Sequence, residues 1–256
     1  MTIFHSLVLG IVEGLTEFLP ISSTGHMILV SHFLKTPEGA TLATFEVVSQ
    51  VGAIGAVVIL YCKKLFEIKM VQKLVVAFIP TGIIGVLVYP YLKAWLENPL
   101  LVAYTMTLGG VCILFVENIY EKRITQGETI ETHSISYRQA LLLGLYQAIA
   151  IVPGVSRSGA MIIGGLTMRI SRKLLTEFTF LLAVPTMVIA TAYTIYKKHS
   201  ELAVESITPL IFGTTISFIV ALIVIQYFLT YIRSHSFKIF GWYRIILGII
   251  LIWILL

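Results

Sequence analysis

The sequence predicts an all-α integral membrane protein with six transmembrane helices plus two re-entrant helical hairpins, arranged as an inverted-topology repeat. Three observations predict it. The 256-residue chain is 57% hydrophobic and 12% charged, where a soluble domain is typically about 45–50% apolar and about 25% charged. Six apolar stretches each come near the roughly 17 to 25 residues that a helix needs to cross the hydrocarbon. Two more apolar stretches are interrupted by small and polar residues, and they resemble one another at a constant offset.

The elements follow in chain order. Residues 2 to 33 are apolar at both ends and broken by "LPISSTGH", where Pro20 removes a backbone donor and Gly25 loosens the chain, so the region reads as helix, turn, helix. Crossings are expected at about 40 to 61, 74 to 91 and 100 to 119. Residues 137 to 168 repeat the broken pattern around "VPGVSRSG", with Pro153, Gly154 and Gly159. Three more crossings are expected at about 174 to 196, 209 to 230 and 241 to 256. The start, "MTIFHSLVLG", has no basic region and no cleavage signal, so it is not read as a removed targeting peptide.

Charge placement orients these elements. The net charge of +5 is not gathered into a basic run with interleaved aromatics, which argues against nucleic acid as a partner. If both broken regions return to the face they entered from, thirteen basic residues, from Lys63 through Lys122 and Arg172 to Lys238 and Arg244, share one side. Four (Lys35, Lys93, Lys197 and Lys198) share the other, and the positive-inside rule then places both termini outside. Cys62 and Cys112 suggest neither a disulfide framework nor a thiolate metal site.

With an offset of 134, Gly10 meets Gly144, Glu13 meets Gln147, Ser22 meets Ser156, Ser23 meets Arg157, Thr24 meets Ser158 and Gly25 meets Gly159. Each half, 1–136 and 137–256, is then one hairpin followed by three crossings. Three is odd, so the second half enters from the opposite face, and broken helices in such repeats meet near the midplane.

That meeting point holds a definite chemical set. Glu13 and Glu17 are four apart and share a helix face. Each ionised carboxylate at membrane depth costs on the order of 2.5 to 3.5 kcal/mol on the lenient insertion scale, so a divalent cation, Arg157 or a water-filled cavity must hold them. His26 lies three residues from Ser23 and four from Ser22, within reach of a nucleophile and base pair. In "PGVSRSG", Arg157 sits between Ser156 and Ser158 beside Gly154; a guanidinium fork, hydroxyls and the free N–H groups of a helix start all suit phosphoryl oxygens. Thr24 and Gly25 join the first set as candidate substrate contacts, and Glu46, Gln50 and Gln147 form a second tier.

"EGLTEFLPISSTGH" and "PGVSRSG" closely resemble the two signature segments of the bacterial undecaprenyl-pyrophosphate phosphatase family, once described as bacitracin-resistance proteins. The likeness covers essentially the whole chain. It implies removal of the terminal phosphate of a C55 polyprenyl diphosphate at the outer face of the bacterial cytoplasmic (inner) membrane, which regenerates the carrier for cell-wall precursors. It also implies a Mg²⁺ or Ca²⁺ ion at Glu13 and Glu17, essential roles for His26 and Arg157, interdigitated inverted repeats and a homodimer among membrane lipids. Where the family usually has threonine this chain has Met161, so altered substrate affinity is expected. Ser23 is expected to attack with His26 managing its proton; attack by His26 or by water stays open. A carrier that moves an anionic polyprenyl lipid is the alternative from another functional class.

Overall fold

A computed structural model describes residues 1–36, 40–96, 98–131, 133–198 and 207–256. The described residues form ten α-helices: α1 Ile3–Thr16, α2 Ser23–Leu34, α3 Ala40–Leu65, α4 Ile68–Leu96, α5 Pro99–Thr125, α6 Tyr137–Ile149, α7 Arg157–Thr167, α8 Arg172–Lys198, α9 Ile207–Ile232 and α10 Lys238–Leu255. Six of these, α3, α4, α5, α8, α9 and α10, contain stretches long and apolar enough to cross a membrane, matching the six expected crossings. The helices overrun the expected limits where polar residues continue them: α5 runs on through Glu121, Lys122 and Arg123, because a helix need not stop where the hydrocarbon does.

The other four helices are short. At 14, 12, 13 and 11 residues and about 1.5 Å per residue, none alone spans a hydrocarbon core about 30 Å thick. Their ends are set by matching caps. Thr2 and Ser136 each close a capping box, with His5 and Gln139. Ser22 and Ser156 cap α2 and α7 from a positive φ, 69° and 71°, and their hydroxyls accept from the N–H groups of Gly25 and Gly159. All four pairs stand 134 residues apart.

Close backbone packing fixes the hairpins in place. A Cβ on Gly10 would lie 2.5 Å from the Gly213 carbonyl oxygen and one on Gly14 would lie 2.6 Å from that of Ser217, so α1 packs directly against the backbone of α9. Gly144 meets the Ala77 carbonyl, and its own carbonyl accepts from Thr81 at 2.9 Å, which seats α6 on α4. Thus α1 rests on a helix of the second half and α6 on a helix of the first. Helices α5 and α10 pair in the same way, a Cβ on Gly110 standing 2.6 Å from the Gly241 carbonyl oxygen.

The core between them is aromatic and aliphatic, with Phe18 edge-on to Phe180 at 5.2 Å and Phe180 against Phe228 at 6.0 Å. The outside is apolar too: Phe115, Leu108, Tyr227 and Trp253 are exposed, the surface of a multi-pass membrane protein. At one end of the bundle Glu117, fully buried, accepts from Arg172 Nε at 2.8 Å and from the Phe237 N–H at 2.7 Å. This carboxylate therefore joins α5, the start of α8 and the residue that precedes α10.

One orientation signal needs correcting. Arg244, counted above among the basic residues of one membrane face, is completely buried inside the bundle and contacts both broken segments. It is internal, which leaves twelve basic residues against four.

Candidate active site

The segments between α1 and α2 and between α6 and α7 face each other across a cavity of about 180 Å³. Glu17, Ser22, Ser23 and Thr24 line it from the first break, and Pro153, Gly154, Ser156 and Arg157 line it from the second. Ala150, Gln50 of α3 and Met187 of α8 complete the wall. Two motifs 134 residues apart are thus brought into one space, as expected.

The geometry at its centre starts from Glu17. Ser23 Oγ donates to Glu17 Oε2 at 2.6 Å, a short charge-assisted contact. Arg157 Nη2 reaches Glu17 Oε1 at 3.4 Å, with both side chains about nine-tenths buried. Arg157 Nη1 reaches the Thr179 carbonyl at 3.4 Å, while Nε is buried with no partner among the described residues. A buried guanidinium held by two long bonds and leaving a donor unmatched has capacity for further oxygens. Its position is also fixed by the Phe18 ring, 5.9 Å from Cζ.

The serines around Arg157 have more fixed duties. Ser158 Oγ donates to the Leu19 carbonyl at 2.9 Å, tying the second motif to the first break. Ser156 and Ser158 hydroxyls lie 3.1 Å apart. With the Ser158 proton directed at Leu19, Ser156 is the donor to Ser158 and accepts from Gly159. Gly154 has φ +87°, and any Cβ there would also meet the Val102 carbonyl oxygen at 2.5 Å, so the turn needs glycine.

His26 departs from expectation. Its Nδ1 lies 2.8 Å from the Ser22 carbonyl and its Nε2 lies 2.7 Å from Tyr243 Oη, with the two rings stacked. A carbonyl only accepts, so Nδ1 carries the proton and Nε2 accepts from tyrosine. The helix turns the ring towards Ser22, four residues back, and the expected Ser23 partner is Glu17 instead.

The remaining candidates lie behind the lining. Glu13 is 1% exposed, lies beside Glu17 and within the electrostatic reach of Glu46, and its Oε1 has no partner among the described residues. Gly25 makes room for Met106. Gln147 donates to Thr81 at 3.0 Å and to Thr186 at 3.1 Å. Met161 is fully buried in the apolar core, so it offers no direct contact to a bound ligand, and the substitution at the family threonine falls on packing.

The donor set suits a hard divalent cation. Glu13 and Glu17 supply only oxygen, and Glu13 Oε1 is a buried acceptor without a donor. Among the described residues no three His, Cys, Asp or Glu side chains converge as a ready cage. A site of one or two carboxylates completed by phosphate oxygens and water is the usual Mg²⁺ arrangement, so the residues fit such an ion.

Sequence reasoning missed Arg244 and Tyr243, adjacent on α10. The signal was present: a lone arginine inside "GWYRIILGIILIWILL" is costly at membrane depth and marks an internal partner.

Comparison with known proteins agrees with the motifs. The family model described as bacitracin resistance protein BacA matches residues 6–250. A Wolinella succinogenes protein called undecaprenyl-diphosphatase is 47% identical over 256 residues, covering 100% of this chain and 99% of that protein. Proteins of the same name from Aquifex aeolicus and Campylobacter jejuni are 45% and 46% identical, covering 98% and 96% of this chain and 97% and 92% of their own lengths. With both signature segments converging on one cavity and a family match running from Ser6 to Ile250, the chain belongs to the bacitracin resistance protein BacA family.

Proposed function

We propose that this protein hydrolyses undecaprenyl diphosphate to undecaprenyl phosphate and inorganic phosphate, recycling the lipid carrier of cell-wall synthesis. The observation that carries the reading is the Ser23–Glu17 contact of 2.6 Å facing Arg157 across one cavity. It supplies a hydroxyl nucleophile, a proton acceptor and an anion clamp within reach of one phosphoryl group. The names of the relatives supply the substrate.

In the first step Ser23 Oγ attacks the terminal phosphorus as its proton passes to Glu17. The bridging P–O bond breaks, and the lipid monophosphate departs with the electron pair and receives that proton. Glu17, ionised again, then takes a proton from water attacking the phosphoserine and returns it to Ser23 Oγ as inorganic phosphate leaves. Arg157, with the N–H groups opening α7, holds the phosphoryl oxygens throughout. His26 holds the Ser22 carbonyl and so orients the nucleophile's peptide. Glu13 and Glu17 would hold Mg²⁺ or Ca²⁺, whose charge would offset that of the diphosphate oxygens.

The same reading puts the protein in the bacterial inner membrane, as a homodimer, with the cavity opening to the outer side. It treats 1–136 and 137–256 as inverted repeats with re-entrant hairpins. The twelve-to-four charge asymmetry, the short paired helices and the matching caps support it.

The test is phosphate release from C55 diphosphate by purified protein in detergent, where no two compartments exist. Turnover is expected; lipid movement in vesicles without any hydrolysis in detergent would make the protein a carrier instead.

A further inference from the structure

We propose that Arg244 is a positioning residue for this reaction, turning peptide donors of the second break towards the diphosphate. The proposal rests on the phosphatase reading above. Arg244 is fully buried in α10, and its guanidinium donates to five backbone carbonyls. Nη1 reaches Val155 at 2.9 Å and Pro20 at 3.3 Å; Nη2 reaches Gly154 at 2.9 Å and Thr105 at 3.3 Å; Nε reaches Met106 at 3.2 Å. One side chain therefore holds both breaks and α5 together. All three nitrogens are used, each on a backbone carbonyl oxygen.

The consequence follows from peptide geometry. The peptides are trans, so each C=O and the following N–H point in opposite directions. Holding the Val155 carbonyl against Arg244 therefore directs the Ser156 N–H away from Arg244, within the stretch that lines the cavity. The amides of Arg157 and Ser158 open α7 and have no preceding turn to bond. Ser156 holds a positive φ of 71°, a conformation that a non-glycine residue keeps only when its surroundings impose it. Arg244 is the surrounding group that grips the carbonyl just before it. Room for the guanidinium comes from glycines on two sides: a Cβ on Gly159 would stand 2.9 Å from Nη1, and one on Gly109 would collide with Nη2.

The experiment compares the full-length wild type, Arg244→Lys, Gly109→Ala and a control, Arg172→Lys, in one detergent. Gly109→Ala displaces the guanidinium without changing charge or touching the cavity. Arg172→Lys weakens the buried pair with Glu117 at another end of the bundle. Each is measured for kcat, KM, thermal unfolding, and binding of methylene diphosphonate by calorimetry. Arg244→Lys and Gly109→Ala are expected to lose about 100-fold in kcat, the usual effect of misdirecting a transition-state donor, and about tenfold in diphosphonate affinity. The control is expected to lower Tm and leave kcat per folded molecule near wild type. A folded Arg244→Lys protein with kcat within threefold of wild type overturns the proposal, as does a control that loses kcat in the same proportion to Tm. If wild type releases no phosphate, the functional reading fails separately. Diphosphonate binding then decides: equal affinity in wild type and Arg244→Lys, or none in either, overturns the role of Arg244.

Discussion

Ser23, Glu17 and Arg157 meet at a single point and have different parts in the proposed reaction, so their substitutions have separable outcomes. Ser23→Ala keeps the cavity and the clamp but removes the attacking oxygen, so turnover falls by about 10³-fold or more while diphosphate binding persists. Acid-stable phosphoserine should be recoverable from briefly reacted wild type, and a phosphohistidine in its place would transfer the attack to His26. Arg157→Lys keeps charge but replaces a planar fork by a compact ammonium. With Nε unpartnered and both Nη contacts long, the native guanidinium has donors available that lysine lacks. A loss of about 10²- to 10³-fold, larger in kcat than in substrate affinity, is expected from steady-state kinetics. Chelation should abolish phosphate release and Mg²⁺ or Ca²⁺ should restore it, with Glu13→Gln less damaging than Glu17→Gln because in the proposed reaction Glu17 also receives the Ser23 proton. Full activity after exhaustive chelation would remove the ion from the reaction.

Among elements, the short helices and their caps were legible because their signals are local. "ISSTGH" and "GVSRSG" announce a break, a serine cap and a new helix, and α2 and α7 begin there. What local signals omit is the partner across the molecule. The sequence puts His26 within reach of Ser23, but Tyr243, 217 residues further on, draws Nε2 away. Likewise Arg244 read as a surface charge because its five acceptors are backbone oxygens, which carry no residue identity. The glycines of α1 and α6 lay in view without revealing which helix they approach. That approach predicts a stability effect: Gly144→Ala drives a methyl into the Ala77 carbonyl, and about 1–3 kcal/mol of destabilisation is expected. Thermal unfolding in detergent measures it, and an unchanged midpoint would mean that α6 and α4 separate easily.

For the whole molecule, the twelve-to-four division of basic residues predicts that tags before Met1 and after Leu256 lie outside the cytoplasm, with sites near Lys69 and Gly127 inside. Accessibility of single cysteines at those positions to an impermeant reagent in intact cells checks this, and a cytoplasmic C terminus would invert the assignment. The membrane class and the two facing motifs were readable because hydrophobicity and short motifs are properties of the chain itself. The seating of α1 on α9 and of α6 on α4 was not readable from the residues, since it depends on backbone contacts such as Gly10 with Gly213. That seating, together with Arg244 on the last helix, has a consequence for biosynthesis. Ser23 lies among the first segments to be made, yet α1 lacks its close backbone partner until α9 arrives and the Gly154 and Val155 carbonyls lack the Arg244 guanidinium until α10 follows. A chain still on the ribosome therefore carries Ser23, Glu17 and Arg157 without all the contacts that shape their cavity, and the finished cavity is a signal that insertion has run to its final turn.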